Sequence, residues 1–119
     1  MSTITVSHGS DSDYKSIQAA VDNAYNGDEI IIKQGIYNEN VSIHGKTITI
    51  RGENDVVVEN NSKDIFSLKN SDSVIDNITI KQKALGVWDF PIDICGRRPT
   101  IKNCKIYGGT SSCIGIAMG

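Results

Sequence analysis

Hydrophobic and polar positions change their period at Asn26-Gly27. Before that point, "SDYKSIQAAVDNAYNG" (residues 12–27) spaces Tyr14, Ile17, Ala20, Val21 and Ala24 along one helical face. Lys15, Gln18, Asp22 and Asn23 fall on the other side. The stretch predicts one amphipathic helix over about 13–25, N-capped by Ser12 or Asp13 and ended by the Asn-Gly turn signal. Beyond it the period falls to two. "GDEIIIKQGIYNENVSIHGKTITIRG" (27–52) holds three short runs of Ile and Val, each closed by Gly, Asn or Lys.

These short strands recur in register. "VIDNITIKQ" (74–82) lies over "TIKNCKIYG" (100–108) at an offset of 26, matching Ile75 to Ile101, Asn77 to Asn103, Ile78 to Cys104 and Ile80 to Ile106. The same offset carries Phe66 and Leu68 onto Ile92 and Ile94, and a further 22 residues reach Ile114 and Ile116. Upstream, "SIHGKTITI" from Ser42 repeats the pattern less closely, with Gly45 in the place of the later Asn. Units this short suit a coil that returns above itself, adding parallel strands about 4.8 Å apart. The expected fold is an all-β solenoid, a right-handed parallel β-helix of about three to four coils, its hand following from parallel crossovers. One domain spans residues 1–119, with coils from about residue 28 and the helix as N-terminal cap. Stacked Asn77 and Asn103 are expected to form an asparagine ladder at a bend, and Cys104 to occupy the inward column beside Ile78.

Composition narrows the function classes. The 119 residues carry 12 basic and 14 acidic side chains, a formal charge of −2, which lacks the basic footprint of a general nucleic-acid binder. No apolar run is long enough to span a bilayer, so no membrane partner is expected. "MSTITVSHGS" has no signal-peptide pattern, which implies a cytoplasmic protein, or a secreted one whose leader was removed. Cys95, Cys104 and Cys113 are odd in number and lack zinc-ligand spacing, so they read as reduced structural thiols, with no metal or cofactor implied.

Two stretches resemble known families. "DYKSIQAAVDNAYNGDEIIIKQGIYNENVSIHGKTITIRGEND" is similar to the N-terminal region of pectin lyase-like right-handed β-helix proteins, including pectin methylesterases. There a T-I-Q-x-A-V type capping helix precedes a G-D-x-I-x-V-x-x-G-x-Y-x-E-x-V-x-I stretch. Ser16, Ile17, Gln18, Ala20 and Val21, then Gly27, Asp28, Ile30, Ile32, Gly35, Tyr37, Glu39, Val41 and Ile43, hold those positions here. "IDICGRRPTIKNCKIYGGTSSCIGIAMG" resembles β-helix repeats of the carbohydrate-binding and sugar-hydrolase type, which also occur in non-enzymatic proteins. The resemblance implies the fold more than an activity. The esterase motifs of the Q-A-V-A-L and D-F-I-F-G type are missing, and Asp89 and Asp93 supply too few oxygens for a calcium-dependent lyase. His8 and His44 have no partner at catalytic spacing and read as a loop and a turn residue.

The candidate surface is "KALGVWDFPIDICGRRPT" (83–100). Asp93 is expected to point outward between inward Ile92 and Ile94, with small Ser67 and Gly115 in the adjacent coils. Trp88, Asp89, Arg97 and Arg98 complete a constellation of ring, carboxylates and guanidinium groups suited to a sugar or an acidic glycan. The alternative is that Trp88 and Phe90 pack an inserted loop while the arginines remain solvated. Three functional readings stand open: a non-catalytic module binding an oligosaccharide or a protein, the first part of a carbohydrate-active enzyme whose catalytic coils follow Gly119, or a structural spacer. Because "SSCIGIAMG" starts a coil without a cap, the sequence also predicts a homo-oligomer. It would stack through an open C-terminal end bearing Cys104, Ile106, Ile114 and Ile116, unless the chain continues.

Overall fold

A computed structural model describes residues 2–83 and 90–108, together with the backbone of 114–117. It is a parallel β-solenoid of four coils with one short helix. A preliminary strand, β1 (Thr3–Val6), and α1 (Ile17–Asn23) precede the coils. Coil one comprises β2 (Glu29–Ile32), β3 (Gly35–Asn38) and β4 (Val41–His44), and coil two β5 (Thr49–Gly52), β6 (Val56–Asn60) and β7 (Phe66–Lys69). Coil three holds β8 (Val74–Asp76), β9 (Thr79–Gln82) and β10 (Ile92–Cys95), and coil four β11 (Thr100–Lys102), β12 (Lys105–Tyr107) and β13 (Ile114–Ala117). The first sheet runs β1-β2-β5-β8-β11, the second β3-β6-β9-β12, and the third β4-β7-β10-β13.

Alternation within each strand builds the interior, because successive side chains point to opposite faces. Ile30, Ile50, Ile75 and Ile101 stack in one inward column, Tyr37, Val58, Ile80 and Ile106 in another, and Val41, Phe66 and Ile92 in a third. The inward side chains of coils one and two are buried; burial starts to fall in coil three, where Ile94 is half-buried, and falls further in coil four, where Ile101, Cys104 and Ile106 are half-buried. Cys104 is therefore an inward residue, as the repeat predicts, in a less enclosed setting than Ile78.

The bends correct two expectations. Asn77 and Asn103 do stack and share a left-handed backbone, each with φ 55°. Their carboxamides do not bond each other, however. Asn77 Nδ2 donates to the Gly52 carbonyl at 2.9 Å and Asn103 Nδ2 to Asp76 Oδ1 at 2.9 Å. Gly45 belongs to a different bend, with Asn70 and Gly96, all at positive φ (72°, 51° and 94°). The run from Ser42 to His44 pairs with 67–69 rather than 74–76, because the third sheet, not the first, takes it up. At Gly96 a side chain would overlap the Asn70 carboxamide, so glycine there lets the Asn70 amide fill the bend.

The helix is shorter than its periodicity suggests. Its N-cap is Ser16, whose Oγ accepts from Ala19 N at 3.0 Å, rather than Ser12 or Asp13. Two competing partners hold the preceding residues out of the helix: Tyr14 bridges in parallel to Val6, and Asp13 Oδ2 accepts from Thr5 N at 2.9 Å. The Glu39 carboxylate accepts from Ile17 N (2.9 Å) and Gln18 N (3.1 Å), satisfying donors the helix leaves open. At the other end Lys46 Nζ donates to the carbonyls of Val21 (2.8 Å) and Ala24 (2.9 Å). Ile17, Ala20 and Val21 are buried against the first coil, so the stripe read from the sequence covers the core as predicted.

Each sheet edge at this end is covered differently. The first sheet gains β1. Over the third, the Gln18 side chain pairs with β4 as a strand would, donating from Nε2 to Ser42 O (3.1 Å) and accepting from Ser42 N (2.7 Å). Over the second, His8 Nε2 donates to Ile36 O at 2.9 Å while its ring stacks on Tyr37 with centroids 4.4 Å apart. Edge backbone that would invite pairing is thus occupied by side chains.

Candidate functional site

The outward face of the third sheet carries the candidate residues. Register aligns Ser42, Ser67, Asp93 and Gly115 across β4, β7, β10 and β13, so Asp93 stands in a column of small neighbours as expected. The next outward column is His44, Lys69 and Cys95. Cys95 is thus a half-buried thiol on the outer face, unlike Cys104, while Cys113 lies outside the described residues.

Beside the serine column lies an open hollow of about 330 Å³, lined by Asn40, Val41, Ser42, Lys63, Asp64 and Ser67. The bend between the second and third sheets forms its wall. Asn40 Nδ2 donates to the carbonyls of Ser62 (2.6 Å) and Asp64 (2.9 Å), which fixes the turn 61–65, and Asp64 Oδ1 accepts from Phe90 N at 2.6 Å. Among the described residues, Ser42 Oγ, Ser67 Oγ and Lys63 Nζ have no protein hydrogen-bond partner. The hollow therefore offers two hydroxyls and an ammonium to a ligand, with a carboxylate one strand further on.

The two arginines are not drawn into this site. Arg97 and Arg98 sit past Gly96, at the opposite end of β10, where Asp72 holds both: Arg97 Nη1 lies 3.6 Å from Asp72 Oδ2, and Arg98 N donates to Asp72 Oδ1 at 3.0 Å. Trp88 and Asp89 lie outside the described residues. Among the described residues no cluster of His, Cys, Asp or Glu could hold a metal ion, and no helix is long and apolar enough to cross a membrane.

Asn40, Lys63 and Asp64 were not singled out by the sequence pattern. They belong to a turn whose length differs between coils, so no repeat offset aligns them. The serine column was the legible part of the site, since the 26-residue offset already places Ser67 beside Asp93. In comparisons with family models, curated proteins and solved structures, nothing matches this chain.

Proposed function

We infer that this chain is a non-catalytic β-solenoid module that binds an oligosaccharide on the outward face of the third sheet. The observation that carries the reading is the hollow beside Ser42 and Ser67, whose hydroxyls and the Lys63 ammonium have no hydrogen-bond partner among the described residues. A polyhydroxyl ligand matches such a surface. It can accept from Lys63, exchange hydrogen bonds with both serines and donate to Asp93. The bend residues are held by the Asn40 and Asp64 contacts, so the site is formed before the ligand arrives, which limits the ordering cost of binding. The resemblance of "IDICGRRPTIKNCKIYGGTSSCIGIAMG" to carbohydrate-binding β-helix repeats supports the same ligand class.

The test is a glycan array followed by titration of the isotopically labelled protein with each hit. Amide shifts are expected to cluster on Asn40–Ser42, Lys63–Ser67 and Asp93. Ser67→Trp, which fills the floor from the outward side, should abolish binding with little change in melting temperature. Glycan binding that survives Ser67→Trp, or an array without any hit, would overturn the reading.

A further inference from the structure

Charge is distributed unevenly along the solenoid axis. Residues 2–44 carry six acids (Asp11, Asp13, Asp22, Asp28, Glu29 and Glu39) against Lys15 and Lys33, whereas residues 96–119 carry Arg97, Arg98, Lys102 and Lys105 and no acid. The asymmetry is concentrated at the bend joining the first and second sheets. Below coil one, the segment after β1 brings Asp11 to Lys33 Nζ (3.3 Å) and Asp13 to Thr5, and both acids are exposed. At the same bend in coil four, Lys102, Asn103 and Lys105 are exposed, and neither lysine has an ion pair among the described residues.

We propose that this bend is the interface of an antiparallel, side-by-side homodimer. A two-fold axis through coil two sets each level of one copy against a level of opposite or self-complementary charge. Asp11 and Asp13 meet the partner's Lys102 and Lys105. Lys33 in coil one meets the partner's Asp76 in coil three. In coil two, Arg51, already ion-paired with Glu29 of its own chain at 2.6 Å, extends that pair to the partner's Glu53 and Asp55, and the reverse contacts follow from symmetry. A small hollow of about 90 Å³ at this bend, bounded by Asn77, Thr79, Asn103 and Lys105 with Asp55 at its lower rim, receives an acidic side chain of the opposing loop. A parallel arrangement would instead set acids against acids and lysines against lysines. The occupant is therefore a second copy in the opposite direction, because the same edge supplies both halves of the match.

The interface is mostly exposed charge, so its affinity depends strongly on salt, with screening over about 8 Å at physiological ionic strength. Sedimentation velocity of the whole chain at low ionic strength should show a dimer that dissociates as salt is added. Asp11→Lys and Lys105→Glu should each weaken it about tenfold or more. An equimolar mixture of the two variants should dimerise better than either alone, which a misfolded variant could not do. A wild type that stays monomeric at sub-millimolar concentration in low salt would overturn the proposal. So would a dimer that ignores both reversals but is lost in Ile116→Lys, since that result would place the contact at the end of the solenoid. Binding of a polyanion such as heparin by a strictly monomeric protein would likewise assign the lysines to another partner. The saccharide reading concerns a different face and stands or falls separately.

Discussion

At the scale of single residues, the bends place the sharpest demands on side-chain identity. Asn77 combines a left-handed backbone with a carboxamide donating to the carbonyl of the coil below. Asn77→Ala keeps neither advantage and should cost about 1–2 kcal/mol from backbone conformation alone. Asn77→Gly should recover most of that part, as read from urea midpoints. Gly52 sits beneath it with no room for a side chain, since a methyl group there would overlap the Asn77 carbonyl oxygen. Gly52→Ala should therefore destabilise by about 3 kcal/mol as the coils are forced apart. The thiols separate by direction. Burial is the main cause pushing the Cys104 thiol above its ordinary value, and Sγ lies 3.2 Å from the Lys102 carbonyl. Cys104 should thus label slowly with a thiol reagent, its rate still rising at pH values where an ordinary thiol has levelled off. Cys95, on the outward face, should label first. Simultaneous labelling of both in native protein would refute the inward placement of Cys104.

At the scale of elements, the helix is secured by contacts distant in sequence. Ser16→Ala removes the N-cap and should cost about 1 kcal/mol. Buried Asp28 ties the helix exit to the start of the chain, accepting from Tyr25 N (2.8 Å) and Ser2 N (2.9 Å). Those backbone donors, Tyr25 first, hold its pKa below the ordinary carboxylate value. Because the folded value is depressed, the stability it contributes is full above the unfolded pKa of about 3.9 and is lost as pH falls through the folded value. Melting temperature should drop across that acidic window in the wild type and less steeply in Asp28→Asn, measured by circular dichroism. The strands were legible in the sequence because their period of two and their 26-residue offset are local or repeating signals. The start of the helix was not, because Tyr14 and Asp13 are claimed by β1, a pairing that periodicity cannot register. The edge contacts of Gln18 and His8 were equally hidden. Each looked like a solvated residue until the sheet it covers was in place. Similarly, the Ser67–Asp93 column followed from the repeat, while Lys63 and Asp64 came from a turn that varies between coils.

At the scale of the whole molecule, stability in a solenoid is shared between neighbouring coils. Ile50 and Ile75 are fully buried, whereas Ile101 and Ile106 are half-buried. Amide hydrogen exchange should therefore be slowest in β5 and β8 and fastest in β11 and β12; equal protection throughout would mean that the coils open only together. The parallel registers also set the direction of mechanical strength. The inter-strand hydrogen bonds of each sheet run along the solenoid axis, so traction on the two chain ends loads them one coil at a time. Under an atomic force microscope the molecule should peel in successive low-force steps rather than rupture once. A coil such as that between Ile75 and Ile101, 26 residues apart in register, would release about 90 Å of chain when extended. A handle attached at Lys69 and pulled against one at Asn38 would instead strain the strands along their length, and the same protein should then resist with a single, higher peak.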